Sequence, residues 1–468
     1  MNRREYLQSS AALIAAAAVP GCSARHESAA VPQRAMYDRG EVPVELSGWT
    51  RTRGVMPAYD SLQSDVEADV LVVGAGLAGA SLALHLAQAG VRVAVLEARQ
   101  PGWGASGRNA GHVLPVLKDL EVFRHFPDGG RKFLELFREH RSITFDLAKQ
   151  HSIDCDAVRS GYLNVMRRKG AFEDFSEEAA RLEKEQGLAV QRLGASDVQR
   201  LTGSAYYRYG VLYEAGGRVN PYLFTNGMVS AATRSGAAVY GESEALVLAR
   251  SGNRWQTRTA KGSVTAERVV FCTNAYPTEI VPEFADSFYP LTAYAVSTRP
   301  LPAAARPIVM PSGATLAEVP IDLNPFVVDG EGRIITSSIP SVSRPEDGAW
   351  HFGNHLAWIH RTWPETKDLN IELETYWTGR VALRDREFPG VFEVHPGVFG
   401  LMHFNAWGNL MAPLMGMLLA EGLARDTMSG LPFPLEKPQR VGDPDKQSFR
   451  IRRVLIPAAR IAQKIGFI

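Results

Sequence analysis

The chain has 468 residues, 45% of them apolar, and its 51 basic and 50 acidic side chains leave a formal net charge of +1. That balance excludes a nucleic-acid partner held by bulk charge, and the apolar content supports a large core spread over roughly two or three domains. Three cysteines, Cys22, Cys155 and Cys272, are too few and too scattered to form a disulfide framework.

At the N-terminus, Asn2-Arg3-Arg4-Glu5 precedes an alanine-rich apolar run from Ala11 to Val19 that is too short to span a bilayer. The paired arginines predict export to the periplasm by the twin-arginine route, which carries folded proteins with their cofactors in place. Val19-Pro20-Gly21-Cys22 resembles a lipoprotein cleavage box, so residues 1–22 read as an export signal. Cys22 is then either a lipid attachment point, giving membrane association, or an incidental cysteine. Residues 23–64, rich in Pro, Gly and charge, read as a tether and lead-in.

The stretch Asp69 to Glu97 reads as strand, glycine turn, helix, strand. Val70, Val72 and Val73 run into Gly74, Gly76 and Gly79; a helical pattern (Leu77, Leu82, Leu84, Leu86) reaches Gly90; a second strand, Val91 to Leu96, ends on Glu97. In such a unit the first glycine makes a tight turn, the second lets backbone approach a pyrophosphate, and the third lets the helix pack closely. The diphosphate lies on the positive helix end, against the N–H groups around Leu77 and Ala78. Glu97 accepts hydrogen bonds from the ribose hydroxyls, a role that an ordinary glycine-rich turn leaves unexplained.

The following run, Ala98 to His112, cannot be a regular helix or strand. Its glycines let backbone wrap a ligand closely, and Ser106, Arg108 and Asn109 offer donors for phosphate or polyol oxygens, with Ala98, Arg99, Ala105, Gly111 and His112 on the same loop. A long polar glycine loop in place of a plain strand-to-helix connection points to a larger cofactor with a ribityl chain. Here the sequence resembles the D-amino-acid-oxidase-like family of FAD-dependent oxidoreductases, above all its gamma-glutamylputrescine oxidoreductase branch, in which a G-x-G-A-S-G-R-N-x-G loop is common. The resemblance spans residues 65 to 435 with interruptions. It implies an α/β fold: a Rossmann-like FAD-binding domain, with a glutathione-reductase-like βαβ unit, interleaved with an α+β substrate domain built on an antiparallel sheet.

Three later segments match the same pattern. Gly217 to Pro221, a helix from Tyr222 to Ser235 and a strand from Ala237 to Leu248 resemble the second pass through the FAD domain, with Val247 toward the adenine. Arg268 to Tyr276 resembles the strand and turn over the cofactor, which implicates Thr273 and Asn274. A helix from about Leu410 to Ala424 is expected to aim its N-terminus at the flavin pyrimidine edge, which makes Trp407, Gly408, Asn409 and Leu410 contacts. Two departures stand close by: Ala406-Trp407-Gly408 where Gly-His-Gly is usual, and Arg384 to Pro389 where Thr-x-Asp-Gly-x-Pro is frequent. They keep open an exported flavin- or substrate-binding lipoprotein without turnover.

The expected division is residues 65–113, 217–285 and 376–435 for FAD, 114–216 and 286–375 for substrate, and 436–468 as a basic tail. Helices are expected over Arg131 to His151 and Gly170 to Gly187, and antiparallel strands over Tyr294 to Thr298 and Arg333 to Ser337. The resemblance implies hydride transfer from the carbon beside an amine to N5 of non-covalently held FAD, with hydrolysis of the imine and oxygen or a respiratory carrier as final acceptor. His112 raises the alternative of a covalent link. Substrate-facing candidates are Tyr294, His351, His355 and His403, with Arg333 or Arg384 to pair a substrate carboxylate. Each also has an ordinary reading, as a surface arginine or a hydrogen-bonded histidine. A nicotinamide dehydrogenase is disfavoured, since an exported enzyme lacks a supply of diffusible NAD. The tail from Arg450 to Ile468 is basic and apolar, fitting either a membrane surface or a helix packed back on the domain.

Overall fold

Val66–Val73 is the strand from which the larger sheet grows. It pairs in parallel with Val93–Leu96 on one side and Ser263–Phe271 on the other, with Val73 opposite both Leu96 and Phe271. Its residues alternate between two cores, which is why the strand is apolar on both faces. Val70 and Val72 pack with the helices Leu77–Gln88, Pro221–Arg234 and Gly408–Ala424, whereas Leu71 and Val73 pack with Trp255, Phe284 and Phe392. Val398–Met402 and Ala238–Tyr240 extend the sheet in parallel on either flank, and Gly390–His395 and Leu435–Glu436 complete one edge. The structure, a computed structural model, describes residues 44, 47–51 and 56–464 apart from 118, 277, 278, 320, 342 and 346. The expected export signal and Cys22 lie outside the described residues.

Small residues set the helix spacing. A Cβ on Gly416 would stand 2.9 Å from the Ala78 carbonyl, so the Gly408–Ala424 helix can cross Leu77–Gln88 this closely only with glycine there. Ser81 donates to the Pro413 carbonyl at 2.8 Å across the same crossing. Pro221–Arg234 starts with Pro at its first turn and Asn220 as its cap, accepting from the Leu223 N–H at 3.1 Å.

The second sheet has eight strands in the order Leu373–Leu383, Tyr289–Thr298, Ile334–Ser338, Phe326–Val328, Thr315–Glu318, Tyr162–Met166, Tyr209–Tyr213, Val190–Leu193. Its two halves come from the two blocks expected to hold substrate, and they join through the parallel pair Thr315–Glu318 with Tyr162–Met166. Leu373–Leu383 pairs with Tyr289–Thr298 along its length, so this sheet takes residues to 383, past the 375 expected. Two other expectations change. The helix Arg131 to His151 breaks into Arg131–His140 and Ile143–Gln150, where Arg141 reaches across to the carbonyls of Gln186 and Gly187. The strand Ala237 to Leu248 is two strands, Ala238–Tyr240 and Val247–Ser251, divided by a turn whose Ser243 N–H donates to the Glu97 carbonyl at 2.8 Å.

Candidate active site

The strand ends at Val73 and Leu96 open onto a cavity of about 920 Å³ whose lining runs from the glycine turn to the second sheet. Gly74 has a φ of +104°, and a Cβ on Gly79 would stand 2.0 Å from the Gly74 carbonyl oxygen. Turn and helix therefore meet at a distance that only glycine permits. The Leu77 N–H donates to Ser106 Oγ at 2.9 Å, which sets the loop hydroxyl on the anion-favouring end of the helix. Glu97 Oε2 accepts from the Ala75 N–H at 2.7 Å and Oε1 from the Arg99 N–H at 2.9 Å. Burial raises its carboxyl above the ordinary value, while those two N–H groups pull the other way.

The glycine loop is fastened to the C-terminal helix by two asparagines. Asn409 Nδ2 donates to the His112 carbonyl and to Asn109 Oδ1, both at 2.9 Å, and Asn109 Nδ2 donates back to Asn409 Oδ1 at 3.2 Å. The His112 carbonyl can only accept and the Gly111 N–H can only donate (to Asn109 Oδ1, 2.9 Å), so both amide orientations are fixed by backbone. Arg108 turns inward: Nε donates to the Trp103 carbonyl at 2.6 Å, Nη1 to that of Thr378 at 2.9 Å, and the guanidinium lies 4.8 Å over the Trp103 ring. Trp103 meets Tyr276 edge to face at 5.4 Å, and Arg380 lies 5.2 Å over Tyr276. All of these side chains line the cavity.

On the far wall stands Tyr294, backed by a hydrogen-bonded line into the second core. Glu318 accepts from Asn324 Nδ2 at 2.9 Å, so Asn324 Oδ1 faces His355 Nδ1 at 3.0 Å and that nitrogen carries the proton. His355 Nε2 then accepts from the Tyr294 hydroxyl at 2.9 Å. Burial pushes the phenol up to about 12 and the imidazole down to about 3, which keeps both neutral near pH 7.

A family model for FAD-dependent oxidoreductases, DAO, matches residues 69–422. The chain belongs to that family. It is 28% identical over 374 residues to gamma-glutamylputrescine oxidoreductase of Escherichia coli (strain K12), a match covering 79% of this chain and 86% of the relative. Among solved structures, glycine oxidase from Geobacillus kaustophilus superposes with a TM-score of 0.66 at 21% identity, over 81% of this chain and 100% of the other. Iminodiacetate oxidase from Chelativorans sp. BNC1 gives a TM-score of 0.63 at 20% identity, over 79% and 100%. The fold is thus that of the DAO-like flavoenzymes, and the cofactor is FAD.

The residues present fit FAD. The turn is bare of side chains where a pyrophosphate would approach, Glu97 lines the cavity just past the strand Val93–Leu96, and Thr273 Oγ1 is a buried hydroxyl with no hydrogen-bond partner among the described residues. The cavity lining brings together Gly74, Gly76, Leu77, Ala78, Glu97, Ala98, Arg99, Ala105, Ser106, Arg108, Asn109, His112, Thr273, Asn274, Tyr294, Gly408 and Asn409. Gly79 and Gly111 stand behind it and shape it: a Cβ on Gly111, whose φ is +79°, would meet the Val219 carbonyl at 2.7 Å.

The other expected residues lie off the cavity. Val247 begins its strand just after the turn that reaches the site, and Glu244, Ala245 and Leu246 line it instead. Trp407 is core, its Nε1 donating to the Leu114 carbonyl at 3.2 Å, and Leu410 is fully buried one turn further on. Arg333 is enclosed by Asp329, Glu331 and Glu374, and Arg384 by Glu436 and the Phe388 carbonyl, so neither guanidinium faces the cavity. The His351 ring lies 4.2 Å from that of Tyr294, tilted 32° to it, and its Nε2 donates to the Arg344 carbonyl. His355 stands behind Tyr294; His403 is buried beside Ser287, and burial holds its imidazole well below the ordinary value. Sequence reasoning passed over Arg380, Trp103 and Tyr276, although all three lie within segments already matched to the family. The alternation along Leu373–Leu383 was the signal for the arginine.

Proposed function

We propose that this chain oxidises the carbon–nitrogen bond of a small amine or amino acid. The observation that carries the reading is the single cavity joining the FAD cradle to a wall of the second sheet that presents Tyr294 and Arg380. Gamma-glutamylputrescine oxidoreductase, as a relative, and glycine and iminodiacetate oxidases, as structural neighbours, support the substrate class. When bound, FAD would supply the two-electron acceptor for the hydride that leaves the carbon beside the nitrogen. The substrate nitrogen gives up its proton to water, and a second water adds to the resulting imine and breaks the carbon–nitrogen bond, releasing the amine fragment and a carbonyl product. The protein's part is placement: Arg380 holds a substrate carboxylate, Trp103 and Tyr276 cover the site against bulk water, and the Asn109–Asn409 pair keeps the glycine loop on the helix start. That helix start, at Gly408, lies at the cavity wall, where its positive end would offset negative charge gained by FAD on reduction.

In this reading FAD is non-covalently held, and oxygen or a respiratory acceptor carries the electrons onward. Export is supported by Arg3-Arg4 ahead of the Ala11 to Val19 run, and a periplasmic enzyme anchored through Cys22 follows from the Val19-Pro20-Gly21-Cys22 box. The test is anaerobic addition of an amine and amino-acid panel to natively purified protein, followed at the flavin band. Bleaching by one class of substrate is expected; folded protein without flavin, or flavin inert to every amine, sinks the proposal.

A further inference from the structure

We propose that the C-terminal helical segment docks this enzyme on an anionic phospholipid surface. The segment runs through Pro444–Phe449, Arg450–Leu455 and Ile456–Lys464 without a break. One side is fixed to the protein. Ala459 is buried, and Arg460 Nη2 donates to Ser338 Oγ and to the Ile339 carbonyl, both at 3.2 Å. The other side faces out: Phe449, Val454 and Ile461 are 57%, 40% and 61% exposed, with Arg450 and Arg453 exposed among them. Only six large apolar side chains stand exposed among the described residues, and three of them fall on this one segment, so the patch is not ordinary surface scatter.

Charge selects the occupant. From Phe449 to Ile468 there are five basic residues, Arg450, Arg452, Arg453, Arg460 and Lys464, and no acidic one, in a chain whose net charge is +1. A second copy meeting this face would set like charges against each other. A nucleic-acid backbone would leave Phe449, Val454 and Ile461 in water. A lipid interface accepts both chemistries, with apolar side chains in the acyl boundary and guanidinium groups on headgroup phosphates. Arg460 anchors beside Ser338, one residue from Ser337 in the cavity wall, so the docked face lies on the substrate-sheet side of the molecule. The inference does not depend on the reaction.

The test is vesicle flotation of the full chain carrying Cys22→Ser, so that no N-terminal acyl group contributes. Binding is expected to vesicles containing phosphatidylglycerol but not to pure phosphatidylcholine, and it should weaken as salt is raised. Arg450→Gln with Arg453→Gln should weaken it roughly thirtyfold, and Phe449→Ser, Val454→Ser and Ile461→Ser together should abolish it. Unchanged flavin content and melting temperature confirm that each variant is folded; the two sets touch different exposed residues, so one suffices if the other fails. Equal flotation of parent and variants, or equal binding to both lipids, overturns the proposal. So does concentration-dependent dimerisation that the serine variants remove while vesicles go unbound, which would assign the face to a second copy.

Discussion

Replacing Asn409 by alanine removes the amide that ties the helix start to the glycine loop, and the structure limits how much this can cost. Asn109 keeps other partners: its Oδ1 still accepts from the Gly111 N–H, and its Nδ2 still reaches the Ser106 carbonyl at 3.2 Å. The group left without its printed side-chain donor is the His112 carbonyl. One orphaned buried acceptor costs about 1–3 kcal/mol, or roughly 5- to 150-fold in an equilibrium constant. Because the loop and the helix start both line the cofactor cavity, the loss is expected in FAD retention: a higher Kd on titrating apoprotein with FAD, read by flavin fluorescence. Asn409→Asp should be worse than alanine, since it turns a carboxylate oxygen toward the His112 carbonyl and Asn109 Oδ1. If Asn409→Ala binds FAD within twofold of wild type, or the aspartate variant binds as well as alanine, the amide pair does not hold the site together and the reasoning is refuted.

Four further outcomes are expected. Gly79→Ala places a Cβ 2.0 Å from the Gly74 carbonyl oxygen, so the turn must open and natively purified protein should carry little or no flavin at the visible band. His355 binds its proton less well folded than unfolded, so its contribution to stability is fully present above pH 6.5 and is lost as the pH falls toward about 3. At about 1.4 kcal/mol per pH unit that is up to about 5 kcal/mol, and denaturant titrations across this window should show a flatter acid limb for His355→Gln than for wild type. Arg380→Met should raise KM for carboxylate-bearing substrates roughly 10- to 150-fold while leaving amines without a carboxylate little changed in steady-state assays. Replacing Arg3 and Arg4 by lysine should leave the protein in the cytoplasmic fraction after cell fractionation.

What could be read from the chain and what could not divide along the range of the interactions involved. The Asp69 to Glu97 unit was legible because its constraints are local: Gly79 must be glycine because of Gly74, five residues before it, and Glu97 ends the strand that pairs with Val66–Val73. The break near Gly241 was not, since it depends on a close approach from elsewhere; a Cβ there would lie 2.6 Å from the Tyr59 carbonyl, and the cavity is lined by Glu244, Ala245 and Leu246 of the turn rather than by Val247. The arginines make the same point. Arg333, Arg380 and Arg384 look alike in sequence, and which one faces the cavity follows from strand pairing, Arg380 standing opposite Thr292, and from acids that arrive late in the chain, Glu374 on Arg333 and Glu436 on Arg384.

The two halves of the site therefore differ in how they are encoded. The cofactor half rests on a run of about thirty residues whose backbone requirements are written in its glycines. The substrate half exists only after two blocks, separated by a return through the FAD sheet, have joined as Thr315–Glu318 beside Tyr162–Met166. Even the cofactor half is completed from a distance, because Asn109 and Asn409 are 300 residues apart. A change in the substrate sheet is thus expected to alter what is oxidised without disturbing how FAD is held, whereas a change at Asn409 or Gly416 is expected to act on cofactor binding although neither lies in the glycine fingerprint. Variants that shift the pairing of Leu373–Leu383 with Tyr289–Thr298, which sets Arg380 opposite Thr292, are therefore where altered substrate preference with intact flavin binding is expected.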